Sequence, residues 1–538
     1  MNQDLFEWIL IVVRWVHITV GICWIGTSIF FMWLDRSFKK VPGTPDSHIG
    51  QLWMVHGGGF YKVDKLQMGP TKVPEELHWF KWESYWTFIT GVILVGMIFY
   101  TGGGTFLLDS GVSNITYTQG VMIGIFSMLG SWFFYDFLWE RESIQAKPII
   151  GHTLTLLWLA GMSYFLCHTL SGRAAYIHIA AMIGVWMTAN VFVRIIPRQV
   201  KMVEASKAGE PVNQAWGKNA KNRSTHNTYF TLPILFIMMS NHFPSTYGHD
   251  YNWVILLLMC AAGASIREYF VSRVSNPSRS KKFAAVGVII ILIVAFASGK
   301  DYSSSNSTAS HNHSKSKETS VVTSNIKVTG TVYFDGKVPQ GRKLSLPKAC
   351  AEQFPGDVYS DEVVVNDTKF QGVVMRISKG IEDMSFTDIP KEEVEIDQVG
   401  CIYVPRVVAA RVGQKVTYIN SDPIYHNIRS YSKKNRKFNK GMPTKGQRIT
   451  RVFKKPEIPF QTKCSVHPWM GVYVAVFDHP FFDVTDKNGE FEINNLPAGT
   501  YTLEAWHEVY GVMKKEFTVS ENEKLNLEIR FKSNLGKI

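Results

Sequence analysis

Eight stretches of this chain are apolar for long enough to cross a hydrocarbon layer, and all of them lie before residue 299. The first runs from about Phe6 to Trp33, and the others cover 85–100, 118–139, 149–170, 176–196, 229–244, 253–270 and 283–298. Each approaches the ~20 residues that cross ~30 Å of lipid tails, and flanking Trp and Tyr extend the shorter ones. Lipid offers the backbone no hydrogen bonds, so such runs must pair their own N–H and C=O groups as helices. Residues 1–298 are therefore expected to form an α-helical membrane bundle of about eight transmembrane helices. The first run begins too early and extends too far for a cleaved signal peptide, and no small-residue cleavage site follows it.

The loops between these runs alternate in charge. Basic loops follow runs one, three, five and seven, with Arg36, Lys39 and Lys40, then Arg141 and Lys147, then Arg198 and Lys201, then Arg273 and Arg279. The loops after runs two and six hold no Lys or Arg, and the loop after run four holds only Arg173. By the positive-inside rule both termini lie outside. The net charge of +13 is thus no sign of a nucleic-acid partner; the partner implied is the bilayer.

After residue 298 the composition changes. Residues 299–325 are Ser, Thr, Asn, His and Lys without apolar periodicity, a flexible linker whose coil dimension is roughly 30 Å. His311 and His313 within it read as solvated side chains. Residues 326–531 alternate apolar and polar in short runs broken by turn residues, predicting an all-β domain, with 532–538 as a tail. Of six cysteines, Cys23, Cys167 and Cys260 sit in apolar runs as small core residues. Cys350 and Cys401 are predicted to form a disulfide, which suits an oxidising compartment; two separate thiols are the alternative.

Cys464 stands apart. Cys464-Ser-Val-His467-Pro-Trp-Met470 offers a thiolate, an imidazole and a thioether from one loop. His426, in Asn420-Ser-Asp-Pro-Ile-Tyr-His426-Asn427, is expected to supply a second imidazole. Two histidines, one thiolate and a weak methionine make a mononuclear type 1 copper site. A binuclear copper centre needs two cysteines in this loop, and here there is one. The bland alternative is a free cysteine among chance neighbours. The pattern resembles the cupredoxin family, and the short Cys-x2-His-x2-Met loop is most similar to amicyanin. Asp486-Lys-Asn-Gly-Glu-Phe-Glu-Ile resembles a carboxypeptidase regulatory-like β-sandwich, so the cupredoxin sheet is expected between or against such strands. His507 and Glu508 are read as structural or interface residues.

The membrane half carries its own resemblance. His56-Gly-Gly-Gly-Phe-Tyr-Lys-Val, Leu77-His-Trp-Phe-Lys-Trp-Glu-Ser-Tyr, Ser171-Gly-Arg-Ala-Ala-Tyr-Ile-His and Arg223-Ser-Thr-His-Asn-Thr-Tyr-Phe are similar to the bacterial membrane-bound urate oxidase family. The resemblance implies a bacterial inner membrane, a periplasmic copper domain, urate as substrate and a respiratory-chain electron acceptor. Members of that family carry a C-terminal cytochrome c domain, whereas this chain has no Cys-x-x-Cys-His and carries the copper pattern instead.

Ionisable residues within apolar runs are functional candidates. Electrons passing from a cytoplasmic urate site to an outer copper must cross ~30 Å, which implies an intermediate centre. One or two b-type haems are the candidates, with His17 and His178 at an outer site, His152 and His226 at an inner one, and Arg14 against a propionate. Hydrogen bonding between helices is the competing role for these histidines. For the substrate, His56, His78, Lys81 and Glu83 supply base and charge, with Gly57-Gly58-Gly59 read as an opening for close approach of a ligand. The competing function is a non-catalytic haem and copper electron-transfer subunit; copper handling is a weaker third, because the runs lack a ladder of Met or Cys.

Overall fold

The structure, a computed structural model, describes residues 3–66, 73–101, 106–109, 111–303, 326–344, 346, 348–521 and 523–533. Most of the expected linker, with His311 and His313, and residues 534–538 of the tail lie outside the described residues. The chain divides into two compact units, Met1–Lys300 and Asp301–Ile538.

The first unit is helical. Among the described residues, seven helices are long and apolar enough to cross a membrane: Trp8–Ser37, Trp82–Phe99, Tyr117–Glu140, Pro148–Cys167, Gly172–Ala208, Asn252–Ser272 and Pro277–Ala297. The remaining expected span, 229–244, covers the C-terminal part of the helix Gln214–Ser240 and the turn after it. That helix carries Lys218, Lys221 and Arg223 in its first half, which leaves it too polar to stand with the other seven. The unit is organised around Gly172–Ala189, whose Tyr176, Ile179, Met182, Ile183 and Trp186 have no exposed surface. Ser171 caps this helix by accepting from the Ala174 N–H. Gly172 is required there, because a Cβ would lie 2.2 Å from the Tyr247 carbonyl oxygen. The helix continues through a π-helical segment, Asn190–Ile195, into Ile196–Ala208.

Residues 48–66 are not an open loop. His48–His56 and Gly59–Leu66 pair as an antiparallel hairpin, and Gly57 and Gly58 form its turn with φ of 59° and 80°. Two left-handed residues in a row are what a tight hairpin turn demands, so these glycines serve the turn and not a ligand opening. The period-2 alternation of Leu52, Met54 and their neighbours carried the signal, hidden by reading the segment as a membrane loop.

The second unit contains two β-sandwiches, one inserted in the other. The outer one uses Lys327–Asp335 and Val374–Lys379, then resumes with Phe482–Val484, Glu490–Asn494, Gly499–His507, Gly511–Val519 and Leu525–Lys532. Its core gathers Val332, Phe334, Phe370, Met375, Leu503 and Phe531. His507 belongs to that core, with its ring 4.4 Å from Phe370. The inner sandwich packs the sheet formed by Gln447–Val452, Lys415–Asn420, Val394–Val399 and Ile402–Val404 against a second sheet. That second sheet runs Asn439–Met442, His426–Ser430, Glu457–Lys463, Gly471–Phe477 and Val407–Arg411. Between them lie Ile396, Tyr418, Ile428, Val472 and Val474.

Arg406 fastens the two sandwiches. Its guanidinium meets Glu508 in a two-bond fork, Nε to Oε1 at 2.5 Å and Nη2 to Oε2 at 2.9 Å, while Nη1 reaches Asp361 at 2.7 Å. Val374, Val407, Ala475 and Phe477 pack beside this pair. Replacing Arg406 by Met leaves Glu508 buried and unpaired, at a cost of about 3 kcal/mol. The unfolding midpoint of the β unit should then fall by roughly 10 °C in a thermal melt.

Candidate metal centre

The inner sandwich ends in a buried cluster of donor atoms. Cys464 follows the strand Glu457–Lys463, and Met470 precedes the strand Gly471–Phe477. The loop between them closes on itself, with the Cys464 N–H donating to the Met470 carbonyl at 3.1 Å and the Met470 N–H to the His467 carbonyl at 2.9 Å. His426 opens the neighbouring strand, which pairs with Glu457–Lys463 through Arg429 and Ser430. The sheet therefore sets the two ligand segments side by side. His426, Cys464, His467 and Met470 are at most 5% exposed.

Three donors converge. His426 Nδ1 and His467 Nδ1 are 3.0 Å apart, and Cys464 Sγ lies 3.9 Å from the first and 3.6 Å from the second. The point equidistant from these atoms lies about 2 Å from each, the length of metal–imidazole and metal–thiolate bonds. The residues thus fit a metal ion. Two other groupings of ligating atoms occur nearby among the described residues, but both include a sulfur of the Cys350–Cys401 disulfide. Met470 lies in the same apolar core as Cys464, and the Asn427 N–H donates to Sγ at 3.5 Å.

A buried carboxylate holds the cluster. Asp422 has no exposed surface and accepts from His426 Nε2 at 2.8 Å. It also accepts from the N–H groups of Gly400 and Cys401, each at 2.8 Å, and from Gln353 Nε2 at 2.9 Å. With Nε2–H given to Asp422, His426 turns the lone pair of Nδ1 toward the other donors. Gly400 and Cys401 are both left-handed, at φ 63° and 60°, as the turn between Val394–Val399 and Ile402–Val404. The disulfide to Cys350 fixes this turn, and the Cys401 carbonyl accepts from Trp469 Nε1 at 2.9 Å. One turn thereby contacts both ligand segments.

Electrostatics follow the geometry. Burial opposes ionisation of Cys464, but the imidazoles of His426 and His467 outweigh it and pull the thiol down to about 5. Burial likewise opposes charge on His426, and Asp422 and Cys464 overcome it, raising the imidazole to about 9. Asp422, despite burial, is held down at about 2 by His426 and by the turn's N–H groups. Without metal the site at neutral pH thus pairs a Cys464 thiolate with a protonated His426, whose Nδ1 proton a bound metal would displace.

The sequence-derived residues of the helical unit fare differently. His56 is exposed at the hairpin end, His78 is exposed against the Phe80 ring, and Lys81 precedes Trp82–Phe99 without a capping hydrogen bond, with Glu83 in the first turn. Among the described residues no contact joins these four. His178 donates Nδ1–H to the Ala174 carbonyl and accepts from the Tyr100 hydroxyl at Nε2, both at 2.8 Å. His17 is bonded to Thr90 at 2.9 Å, and Arg14 is exposed one turn away. His152 and His226 do meet, with ring centroids 5.5 Å apart, but Trp139 packs on both at 4.8 and 4.2 Å. These arrangements do not fit a haem: the Nε2 lone pair of His178 is taken by the Tyr100 hydroxyl, and Trp139 packs against both rings of the other pair.

A cluster that the sequence reading overlooked lies around His226. Tyr135 bonds His226 Nδ1 at 2.7 Å, and Asn190 bridges Tyr135 and Asn227. Arg223, 2% exposed, reaches Asp136 at 3.0 Å and Glu140 at 2.8 Å, and Arg194 and Arg198 join the same carboxylates. Asp136 with Glu140 and Arg194 with Arg198 are each four apart, hence on one helix face, at the ends of apolar runs. That spacing was the available signal. The π-helical segment Asn190–Ile195 carries two of the members, a frequent mark of functional positions.

Fold and site together define a membrane-type helical protein bearing a β-sandwich with a buried thiolate and two imidazoles. Residues 3–298 match the family model described as urate oxidase N-terminal, and the chain belongs to that family. Comparison with curated proteins gives no match. Among solved structures, a purple cupredoxin from Nitrosopumilus maritimus is 27% identical over 16% of this chain and 99% of its own, with a TM-score of 0.14. A copper-containing nitrite reductase from Thermus scotoductus SA-01 is 21% identical over 19% of this chain and 25% of its own, with a TM-score of 0.16. A mutant amicyanin in its Cu(I) form is 20% identical over 19% of this chain and 98% of its own, with a TM-score of 0.15.

Replacing Asp422 by Ala frees the His426 ring and should weaken metal affinity about 10- to 100-fold. Competition against a chromophoric chelator measures the change.

Proposed function

We propose that this chain is a membrane-bound urate oxidase-like oxidoreductase that delivers electrons, by way of a redox centre in the membrane, to a type 1 copper site and on to a respiratory acceptor. The observation that carries the reading is the buried triangle of His426, His467 and Cys464. One soft thiolate with two imidazoles and a weak thioether, Met470, favours copper over zinc, which prefers four firm ligands. Bound copper would supply one-electron storage by cycling between Cu(I) and Cu(II). The protein residues do the rest: Asp422 fixes the His426 tautomer, the Asn427 N–H donates to the thiolate, and burial excludes water.

Family membership supports urate chemistry in the helical unit. Urate is a planar anion, so its site needs cationic groups, aromatic faces and a base. Arg223, Tyr135, Trp139 and the pair His152 and His226 gather these in one place, whereas the segment with His56, His78, Lys81 and Glu83 gathers none of its members. We therefore place the substrate near His226. The copper domain is read as periplasmic from the alternation of basic loops.

Anaerobic urate added to the purified, copper-loaded protein should bleach the thiolate-to-copper absorption band. Cys464→Ser should lack the band altogether. His226→Gln should keep the band and lose the bleaching, while His78→Ala and Lys81→Ala should bleach as the parent does. Bleaching lost only in the last two would return the substrate to residues 78–83. A parent protein that keeps its band in excess urate would favour the non-catalytic electron-transfer subunit.

A further inference from the structure

Nearly all of the net charge of this protein comes from one segment of the inner sandwich. Between Pro423 and Pro456 there are eleven Lys and Arg and no Asp or Glu, against +13 for the whole chain. The segment supplies an edge strand to each sheet, Asn439–Met442 and Gln447–Val452. Two of its stretches, 432–437 and 454–455, meet through Asn435 at the pole of the sandwich remote from the donor cluster.

That pole is built rather than loose. Glu457 is 5% exposed and faces inward, where it accepts from Ser432 Oγ at 2.6 Å, Lys433 N at 2.6 Å, Lys434 N at 3.1 Å and Asn435 Nδ2 at 3.0 Å. Asn435 Oδ1 in turn accepts from the N–H groups of Lys454 and Lys455, both at 2.9 Å. One carboxylate and one amide thus weld the two basic segments together. Lys433, Lys434, Arg436, Lys437, Lys454 and Lys455 are all exposed on this frame. Like charges repel, so a fold that fixes six cations at one pole bears an electrostatic cost that an anionic surface relieves.

We infer that this pole docks on the anionic phospholipid headgroups of a bilayer. Charge complementarity selects an anionic surface, and among the described residues seven helices are long and apolar enough to cross a membrane, which would keep a bilayer at hand. An electron-exchange partner is the poorer fit. Glu457 begins the seven-residue strand that Cys464 follows, which puts the pole about 20 Å from the donor cluster. Docking by the pole leaves the Cys464–Met470 end open to a redox partner. The inference does not depend on which metal the site holds.

The test uses the full chain in nanodiscs of phosphatidylcholine alone or with phosphatidylglycerol, read by amide hydrogen exchange. Exchange in 431–437 and 453–456 should slow by about fivefold or more only in the anionic discs, the factor that one lysine contributes at such a surface. The slowing should vanish at about 1 M salt, where the Debye length is roughly 3 Å, and in the variant Lys433→Gln, Lys434→Gln, Lys454→Gln, Lys455→Gln. The parent comparison needs no variant, so a folding defect cannot mask the answer. Equal exchange in the two lipids, equal slowing in both, or slowing that appears only when an acidic protein is added would each overturn the inference.

Discussion

A carboxylate with no exposed surface stays ionised only where donors surround it, and Asp422 has four: one imidazole N–H, two backbone N–H groups and one amide. Each of them offsets part of the cost of burying that charge, so losing one costs about 1–3 kcal/mol. That penalty turns separate parts of the chain into one unit. The turn at Gly400 and Cys401, the side chain of Gln353 and the ligand His426 are far apart in sequence and are held together by Asp422. The donor triangle inherits this rigidity, so a metal would find its ligands already in place.

The same physics governs the helical unit with opposite sign. Arg223 is a buried cation, and Asp136 and Glu140 are its necessary anions, themselves shared with Arg194 and Arg198. Three cations against two carboxylates leave a local positive excess beside Tyr135, His226 and two asparagines. Ion networks inside helical membrane units are expensive, and this one is joined to a π-helical segment that interrupts the regular ladder. Stability alone would be served better by apolar packing, and the proposed substrate site is placed beside this network for that reason.

The insertion of one sandwich in another shapes how the β unit can respond. Both ends of the inner sandwich are tied to the outer one, and Arg406 with Glu508 adds a buried ionic fastening beside them. The donor cluster, the disulfide and the basic pole all belong to the inner sandwich, while the outer sandwich contributes none of the ligating atoms. Its role in the structure is that of a frame.

Much of this was legible in the amino-acid order. Apolar runs mark helices because lipid leaves the backbone no other partners, and the spacing of Cys464, His467 and Met470 marks a ligand loop because one turn must present three side chains to a common point. Both are short-range requirements, written within a few residues. The tertiary structure decided the rest. Asp422 as the holder of His426, the turn that grips it, the network around Arg223 and the nesting of two sandwiches join residues tens of positions apart. The hairpin at 48–66 escaped for another reason, since its alternation was overshadowed by the membrane runs on either side. No local pattern specifies which buried charge will meet which donor; that is settled when the chain folds and each desolvated group must find its partner.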